Sequence, residues 1–211
     1  MKIAIISASG KAGKMIFDES QKRGHEVTAI IRDKNKAAQF KENVLIRDIF
    51  DLEAKDLDGF DVIVDAFGAY APEQLHLHTK VIEKLSVLLN GKKQRLIVVG
   101  GAGSLYVTKE HTTQLFETPD FPDAFKPLAQ AQSQALDLLR TFSGVNWTFI
   151  SPAATFNYDG EKTGKYLLSG EEFTVNHENE SQISYADYAI ALVDEIEQAQ
   201  HNKSRISVLA Q

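Results

Sequence analysis

The chain opens Met1-Lys2-Ile3-Ala4-Ile5-Ile6-Ser7-Ala8-Ser9-Gly10-Lys11-Ala12-Gly13, and this stretch decides the fold. An apolar run over residues 2–7 stops at a turn of small residues, and a segment of helical period follows. The run is continuous rather than alternating, which predicts a strand buried on both faces. In the turn, Ser7, Gly10 and Gly13 stand at G-x-x-G-x-x-G spacing, with serine in the first place. Small residues let the backbone approach a pyrophosphate, and the helix beyond offers unpaired N–H groups and the positive end of its dipole. Strand, glycine turn and helix in that order are the context of a dinucleotide-binding site. Its candidate residues are Ser7, Ser9, Gly10, Lys11, Ala12 and Gly13.

The same order repeats toward the C-terminus. Candidate strands lie at 2–7, 27–31, 44–47, 61–65, 95–100 and 147–150, with a short last one at 205–209. Apolar stripes of helical period separate them: Val81, Ile82, Leu85, Leu88 and Leu89; Ala131, Ala135, Leu138, Leu139 and Phe142; Ala186, Ala189, Ile190 and Val193. Asn90-Gly91 and Ser143-Gly144 end two of the helices with residues suited to positive φ. Such alternation with short connections requires right-handed crossovers. The predicted architecture is α/β: one doubly wound parallel sheet, a Rossmann fold, with helices on both faces and residues 1–211 in one domain.

Two segments interrupt the alternation. Residues 101–127 carry three of the five prolines together with Phe116, Phe121 and Phe125. Residues 152–183 hold Asn157-Tyr158-Asp159-Gly160, Gly164, Gly170 and a candidate extra strand at 171–175. Both follow strands, so both belong at the carboxyl edge of the sheet, where such folds bind ligands.

Composition narrows the function. The 211 residues include 23 Lys+Arg against 29 Asp+Glu, a formal charge of −6, with no basic cluster to hold nucleic acid. The longest apolar runs are far shorter than the roughly 20 residues of a membrane helix. The first strand reaches its glycine turn too early for a secretory signal. With no cysteine, thiol chemistry, disulfides and Cys-ligated zinc are excluded. His76 and His78 are two apart on a helical segment, so they face different ways and make no metal pair. The expectation is a cytoplasmic protein without a metal, nucleic-acid or membrane partner, acting on a small molecule as a monomer or small homo-oligomer.

The end of the second strand bears on the choice of cofactor. An NAD site usually carries an acidic residue there, about 20 residues past the glycines. Here the strand ends Ala29-Ile30-Ile31-Arg32-Asp33. The planar fork of Arg32 suits a 2′-phosphate, and Lys36 adds charge, so NADPH is expected over NADH. A strand end shifted by one residue would put Asp33 in that place instead.

Several stretches resemble the atypical short-chain dehydrogenases, among them the NADH-flavin-reductase-like proteins, biliverdin IX-beta reductase and the NmrA-like proteins. They are residues 1–13 above, Arg23-Gly24-His25-Glu26-Val27-Thr28-Ala29, Val99-Gly100-Gly101-Ala102-Gly103-Ser104-Leu105, Trp147-Thr148-Phe149-Ile150-Ser151-Pro152-Ala153-Ala154, Thr163-Gly164-Lys165-Tyr166 and Ile183-Ser184-Tyr185-Ala186-Asp187-Tyr188-Ala189. Ser7 departs from the glycine usual in those relatives, and a positive φ there would disfavour a serine. The resemblance implies that Asp48 faces the adenine. It also implies that Ala66, Phe67 and Gly68 pass the ribose and nicotinamide, and that Gly100 and Pro152 border the cofactor. From the residues alone, Asp48 also fits a helix cap.

Tyrosine-dependent short-chain dehydrogenases use Tyr-x-x-x-Lys on the helix after the fifth strand. Here that segment, 126–142, holds no tyrosine, and Tyr106 is followed at four by Glu110. A flavin accepts hydride at a ring nitrogen without a strong protein acid, so a stacking slot suffices. Phe67, Tyr70, Ser104, Tyr106, Pro152, Phe156 and Tyr158 are the candidate walls, with Ser104 and Tyr106 as substrate-positioning residues and His111 as the histidine placed to take part. The reading is an NAD(P)H-dependent reductase of a flavin (FMN or FAD as substrate, not prosthetic group) or a similar planar acceptor. The alternatives are an NmrA-like dinucleotide sensor without turnover and a nucleotide-sugar epimerase or dehydratase.

Overall fold

The computed structural model describes residues 1–41 and 43–211. In chain order its elements are β1 (Lys2–Ile6), α1 (Lys11–Lys22), β2 (Glu26–Ile31), β3 (Val44–Ile46), α2 (Ala54–Leu57), β4 (Val62–Asp65), α3 (Leu77–Leu89) and β5 (Arg95–Val99). There follow α4 (Lys126–Arg140), β6 (Asn146–Pro152), β7 (Thr155–Asn157), β8 (Tyr166–Ser169), β9 (Gln182–Ser184), α5 (Tyr185–Gln198) and β10 (Ser204–Ala210). Eight strands form one sheet in the order β3-β2-β1-β4-β5-β6-β10-β8. The chain winds outward from β1 in one direction and then from β4 in the other, so the predicted doubly wound sheet is present.

Its strands are apolar on both sides because helices cover both. Ile3, Ile5, Val27, Ala29 and Val64 meet Ile16 and Phe17 of α1 and Tyr188, Leu192 and Ile196 of α5. Ala4, Ile6, Ile63, Leu96 and Trp147 meet Val81, Leu85 and Leu89 of α3 and Leu136 and Leu139 of α4. Arg23 ties α1 to α5: its guanidinium donates to Glu19 at 3.0 Å, Asp194 at 2.5 Å and Glu197 at 2.9 Å. The Arg23-Gly24-His25 stretch is thus a joint between helices, with Gly24 at φ 81° in the turn.

Three expectations change. The sheet is not wholly parallel, since β8 runs antiparallel to β10 at one edge. The strands of the second segment are β8, which joins the large sheet, and β7 and β9, which pair with each other, and 171–175 is not one of them. Residues 171–173 bond elsewhere: the Tyr106 N–H donates to the Glu171 carbonyl at 2.9 Å, and the Phe173 N–H to the Tyr106 carbonyl at 2.7 Å. Finally, Gly91 has the expected positive φ of 71°, but Gly144 lies outside that region. Its lack of a side chain instead admits the Asn90 amide, and its carbonyl accepts the Gly91 N–H at 2.8 Å.

The turn after β1 sets the level of the sheet edge. The Ser7 carbonyl accepts the Gly10 N–H at 2.9 Å. A Cβ on Gly13 would stand 2.6 Å from that same oxygen and 2.8 Å from Ala8 Cα, so only glycine lets α1 sit this close to the strand. Ser7 itself has φ 58°, the strained conformation that its departure from glycine made a concern. Ser7→Gly relieves about 1–2 kcal/mol of left-handed strain and gives back about 0.5–1 through unfolded-chain entropy. Urea denaturation is expected to show a net gain of about 0.5–1 kcal/mol. Gly13→Ala, which must push backbone against backbone, is expected to lose about 1–3 kcal/mol in the same assay.

Candidate functional site

Where the winding reverses, between β1 and β4, a cleft of about 1240 Å³ opens along the carboxyl edge of the sheet. Ser7, Ser9, Gly10, Lys11 and Ala12 form its floor, with Arg32 and Asp48 at one end. Ala66, Phe67, Gly68, Gly100 and Pro152 border it toward the other end. Gly13 is the one expected cofactor residue that does not line it; its place is beneath, in the packing of α1.

The floor is built for an anion. Gly10 is the N-cap of α1 and makes no side-chain capping bond, and the first turn has no acidic residue. The leading N–H groups of the helix therefore have no intrahelical partner and point, with the positive dipole end, at the cleft. A pyrophosphate fits this cradle, and Gly10 leaves its approach free of a side chain.

At the β2–β3 end both Arg32 and Asp33 line the cleft, and they differ in their partners. β2 stops at Ile31, leaving Arg32 exposed on the cleft wall without a carboxylate partner among the described residues. Asp33 lines the cleft but is engaged, its carboxylate accepting the Asn35 N–H at 2.9 Å. Asp48 likewise accepts the Phe50 N–H at 2.9 Å, so it lines the cleft and caps the short turn after β3 at once. Lys36 and Arg47 stand beside them, Arg47 also 3.5 Å from Asp56. Sequence reasoning missed Arg47, which lies one residue past β3.

The opposite end is apolar and comes from both interrupting segments. Leu115, Phe121 and Phe125 from the first face Phe156 and Phe173 from the second, with Leu128, Ala129 and Gln132 of α4 and Tyr185 of α5 between them. Phe156 and Tyr185 stack at 3.6 Å with an interplanar angle of 5°. Phe173, Gln132 and Tyr185 were not foreseen as wall residues. The signal for them was Gly100-Gly101-Ala102-Gly103, because side chains there would collide with Phe149, Gln132 and Ala129. Those three glycines let the loop after β5 lie directly on α4 and open the cleft.

The two positioning candidates are not in it. Ser104 is buried, and both its carbonyl and its Oγ accept from Arg205 Nη1 at 2.9 Å. Tyr106 stacks on His111 at 4.6 Å under the Arg205 guanidinium, and His111 pairs with Glu172 at 2.7 Å. All three turn away because Arg205, fully enclosed, gathers the two interrupting segments behind the wall. It reaches Ser104 in one and Glu171 in the other, where Arg140 also donates to the carboxylate at 2.8 Å. Tyr158 stands one layer out as well, edge-on to Tyr185 with the Lys11 ammonium 4.8 Å over its ring. Tyr185 is held by the start of α5. Ser184 caps the helix by accepting the Asp187 N–H at 3.0 Å, and Asp187 accepts from the Thr163 hydroxyl at 2.8 Å and the Gly164 N–H at 2.8 Å.

A phosphate-ready helix end and a carboxyl-edge cleft agree with the comparison to known families, in which the NAD(P)H-binding family model matches residues 7–199. The chain belongs to that family. A Streptococcus pneumoniae protein named "a putative NADH-flavin reductase" is 57% identical, with 100% of each chain covered and a TM-score of 0.96. YwnB of Bacillus subtilis is 47% identical over 100% of this chain and 99% of its own. A Bacteroides thetaiotaomicron protein named a "putative epimerase" is 30% identical, covering 99% of this chain and 96% of that one, with a TM-score of 0.86.

Within this NAD(P)H-binding fold, a small second cavity of about 20 Å³ lies beneath Phe67, lined by Asp65, His78 and Gln132 among apolar groups. That is room for about one water molecule. Asp65 ends β4 and accepts the Phe67 N–H at 3.0 Å, while burial pushes its carboxyl up to about 6. His78 donates Nε2–H to the Ala69 carbonyl at 3.0 Å, and burial holds its pKa below the ordinary value, so no imidazolium offsets the carboxylate. A carboxyl raised from 3.8 to about 6 on folding keeps its proton in the native state longer than in the unfolded chain. Stability is therefore lost as pH rises through that window, by about 3 kcal/mol. Asp65→Asn keeps the acceptor for Phe67 and removes the titration. Its unfolding free energy relative to the parent is expected to improve by about 2 kcal/mol between pH 4 and pH 7, read from urea midpoints at each pH.

Proposed function

We propose that the protein is an NAD(P)H-dependent reductase of a flavin or similar planar acceptor, with NADPH preferred over NADH. The observation that carries it is the division of one cleft into a polar, cationic half and an aromatic half. The volume, about 1240 Å³, exceeds the roughly 300–1,000 Å³ of a pocket for a single drug-sized ligand. The likeness to the Streptococcus pneumoniae protein and its printed name support the same reading.

When bound, the nicotinamide supplies hydride to an acceptor ring stacked against it. The chain's part is placement. The α1 end and the Ser7–Ala12 turn bind the pyrophosphate; Arg32, with Lys36 and Arg47 nearby, holds a 2′-phosphate. Asp33 beside it has one carboxylate oxygen in the cap of the following turn. Phe67, Gly68, Gly100 and Pro152 border the reacting end, and the Phe156–Tyr185 stack with Phe121 and Phe173 excludes water and orients a flat acceptor. Catalysis then rests on proximity, and α4 turns Leu128, Ala129 and Gln132, not a tyrosine, to this space. Such a site suits an acceptor whose second proton comes from solvent.

The test is NADPH oxidation followed by absorbance with and without riboflavin or FMN, against NADH as control. Flavin-dependent oxidation is expected. Absence of turnover in a sample that binds NADPH would favour a dinucleotide sensor. Arg32→Ala is expected to weaken NADPH binding about 10–150-fold and leave NADH nearly unchanged, by titration calorimetry. Equal loss for both would overturn the 2′-phosphate role.

A further inference from the structure

The two halves of the cleft differ in charge as well as in polarity. Residues 101–127 and 152–183, which build the acceptor half, carry ten acidic residues against four lysines. Their excess of six negative charges equals the formal charge of the whole chain, −6. The remainder of the protein is balanced.

None of the four lysines lines the cleft. Lys126 pairs with Asp123 at 2.7 Å, and Lys162 with Glu19 at 2.7 Å. Lys109 and Lys165 are exposed elsewhere. The two arginines behind the wall, Arg140 and Arg205, both spend their guanidinium groups on Glu171. Lys11 belongs to the pyrophosphate turn and holds its ammonium over Tyr158. At the acceptor end the charged wall residue is Asp120, beside Phe121 and Pro122. Tyr70 and Phe125, 75% and 59% exposed, extend the aromatic surface out to the rim.

A terminal phosphate carries about −1.5 to −2 charges at neutral pH and needs a cation or a row of N–H donors. The cofactor half supplies both. The described residues lining the acceptor half include no lysine or arginine, and the carboxylate of Asp120 opposes the charge. We infer that this site selects an uncharged planar acceptor, of which riboflavin is the flavin representative, over phosphorylated flavins such as FMN. The inference rests on the planar-acceptor reading above and names the class of molecule within it. Asp120 is the specificity-determining residue it points to, since it is the charged side chain among the described residues that line the aromatic end.

Riboflavin and FMN share one ring system and differ by the phosphate, so their ratio isolates the charge. The experiment is quenching of flavin fluorescence by the protein saturated with NADP⁺, which reads binding without turnover. Riboflavin is expected to bind about 10-fold more tightly than FMN at low ionic strength, with the gap closing in about 0.3 M salt as the field is screened. Asp120→Lys is expected to shift the FMN:riboflavin ratio about 5-fold toward FMN. FMN binding as tightly as riboflavin, or a ratio unmoved by Asp120→Lys, overturns the charge selection and leaves the reductase reading standing. Failure of both flavins to bind a sample that still binds NADP⁺ overturns the planar-acceptor reading and this inference together.

Discussion

The backbone contact between α1 and the Ser7–Ala8 peptide is the constraint from which the site follows. The Ser7 carbonyl holds the Gly10 N–H, and the same oxygen lies within 2.6 Å of where a side chain on Gly13 would begin. A helix so close to the end of β1 must aim its unpaired N–H groups across the carboxyl edge of the sheet. That is what turns a topological crevice between β1 and β4 into an anion site. Ser7 sits in a left-handed conformation to make this turn, a strain the surrounding bonds of the turn and sheet keep in place.

A second organising element stands at the far end. Arg205, from β10, is enclosed and bonded to Ser104 and Glu171, which belong to different interrupting segments. Two segments that are far apart in sequence thus share one anchor, with Arg140 completing it through Glu171. The polar groups of both segments converge behind the wall, and their aromatic groups are left to face the cleft. Charge differs along the cleft as well: Arg32, Lys36 and Arg47 line it past β2 and β3, while Asp120 lines its aromatic end.

The fold was legible because its signals are local. Continuous apolar strands, apolar stripes of helical period and the glycine turn each announce themselves within about ten residues. The end of the cleft around the glycine turn was legible for the same reason, since Ser7, Ser9, Gly10, Lys11, Ala12, Arg32, Asp48, Phe67, Gly68, Gly100 and Pro152 stand just past strand ends and line the cleft. The acceptor half was not. Ser104 and Tyr106 follow β5 as a wall residue should, yet an arginine a hundred residues away claims the one and covers the other. Residues 171–175 have the composition of a strand, but their peptide groups bond to Tyr106 before the sheet edge can take them.

The sequence by itself therefore determined the doubly wound sheet, the glycine turn and the residue at the end of β2, because strand ends and helix starts depend on neighbours in the chain. Only the tertiary structure decided which aromatics face the cleft, that Asp33 and Asp48 are engaged as caps, and that Asp65 and His78 share a buried cavity. Those outcomes depend on which partners reach a side chain across the fold, and a long-range contact such as Arg205 with Ser104 leaves no mark in the local pattern of either.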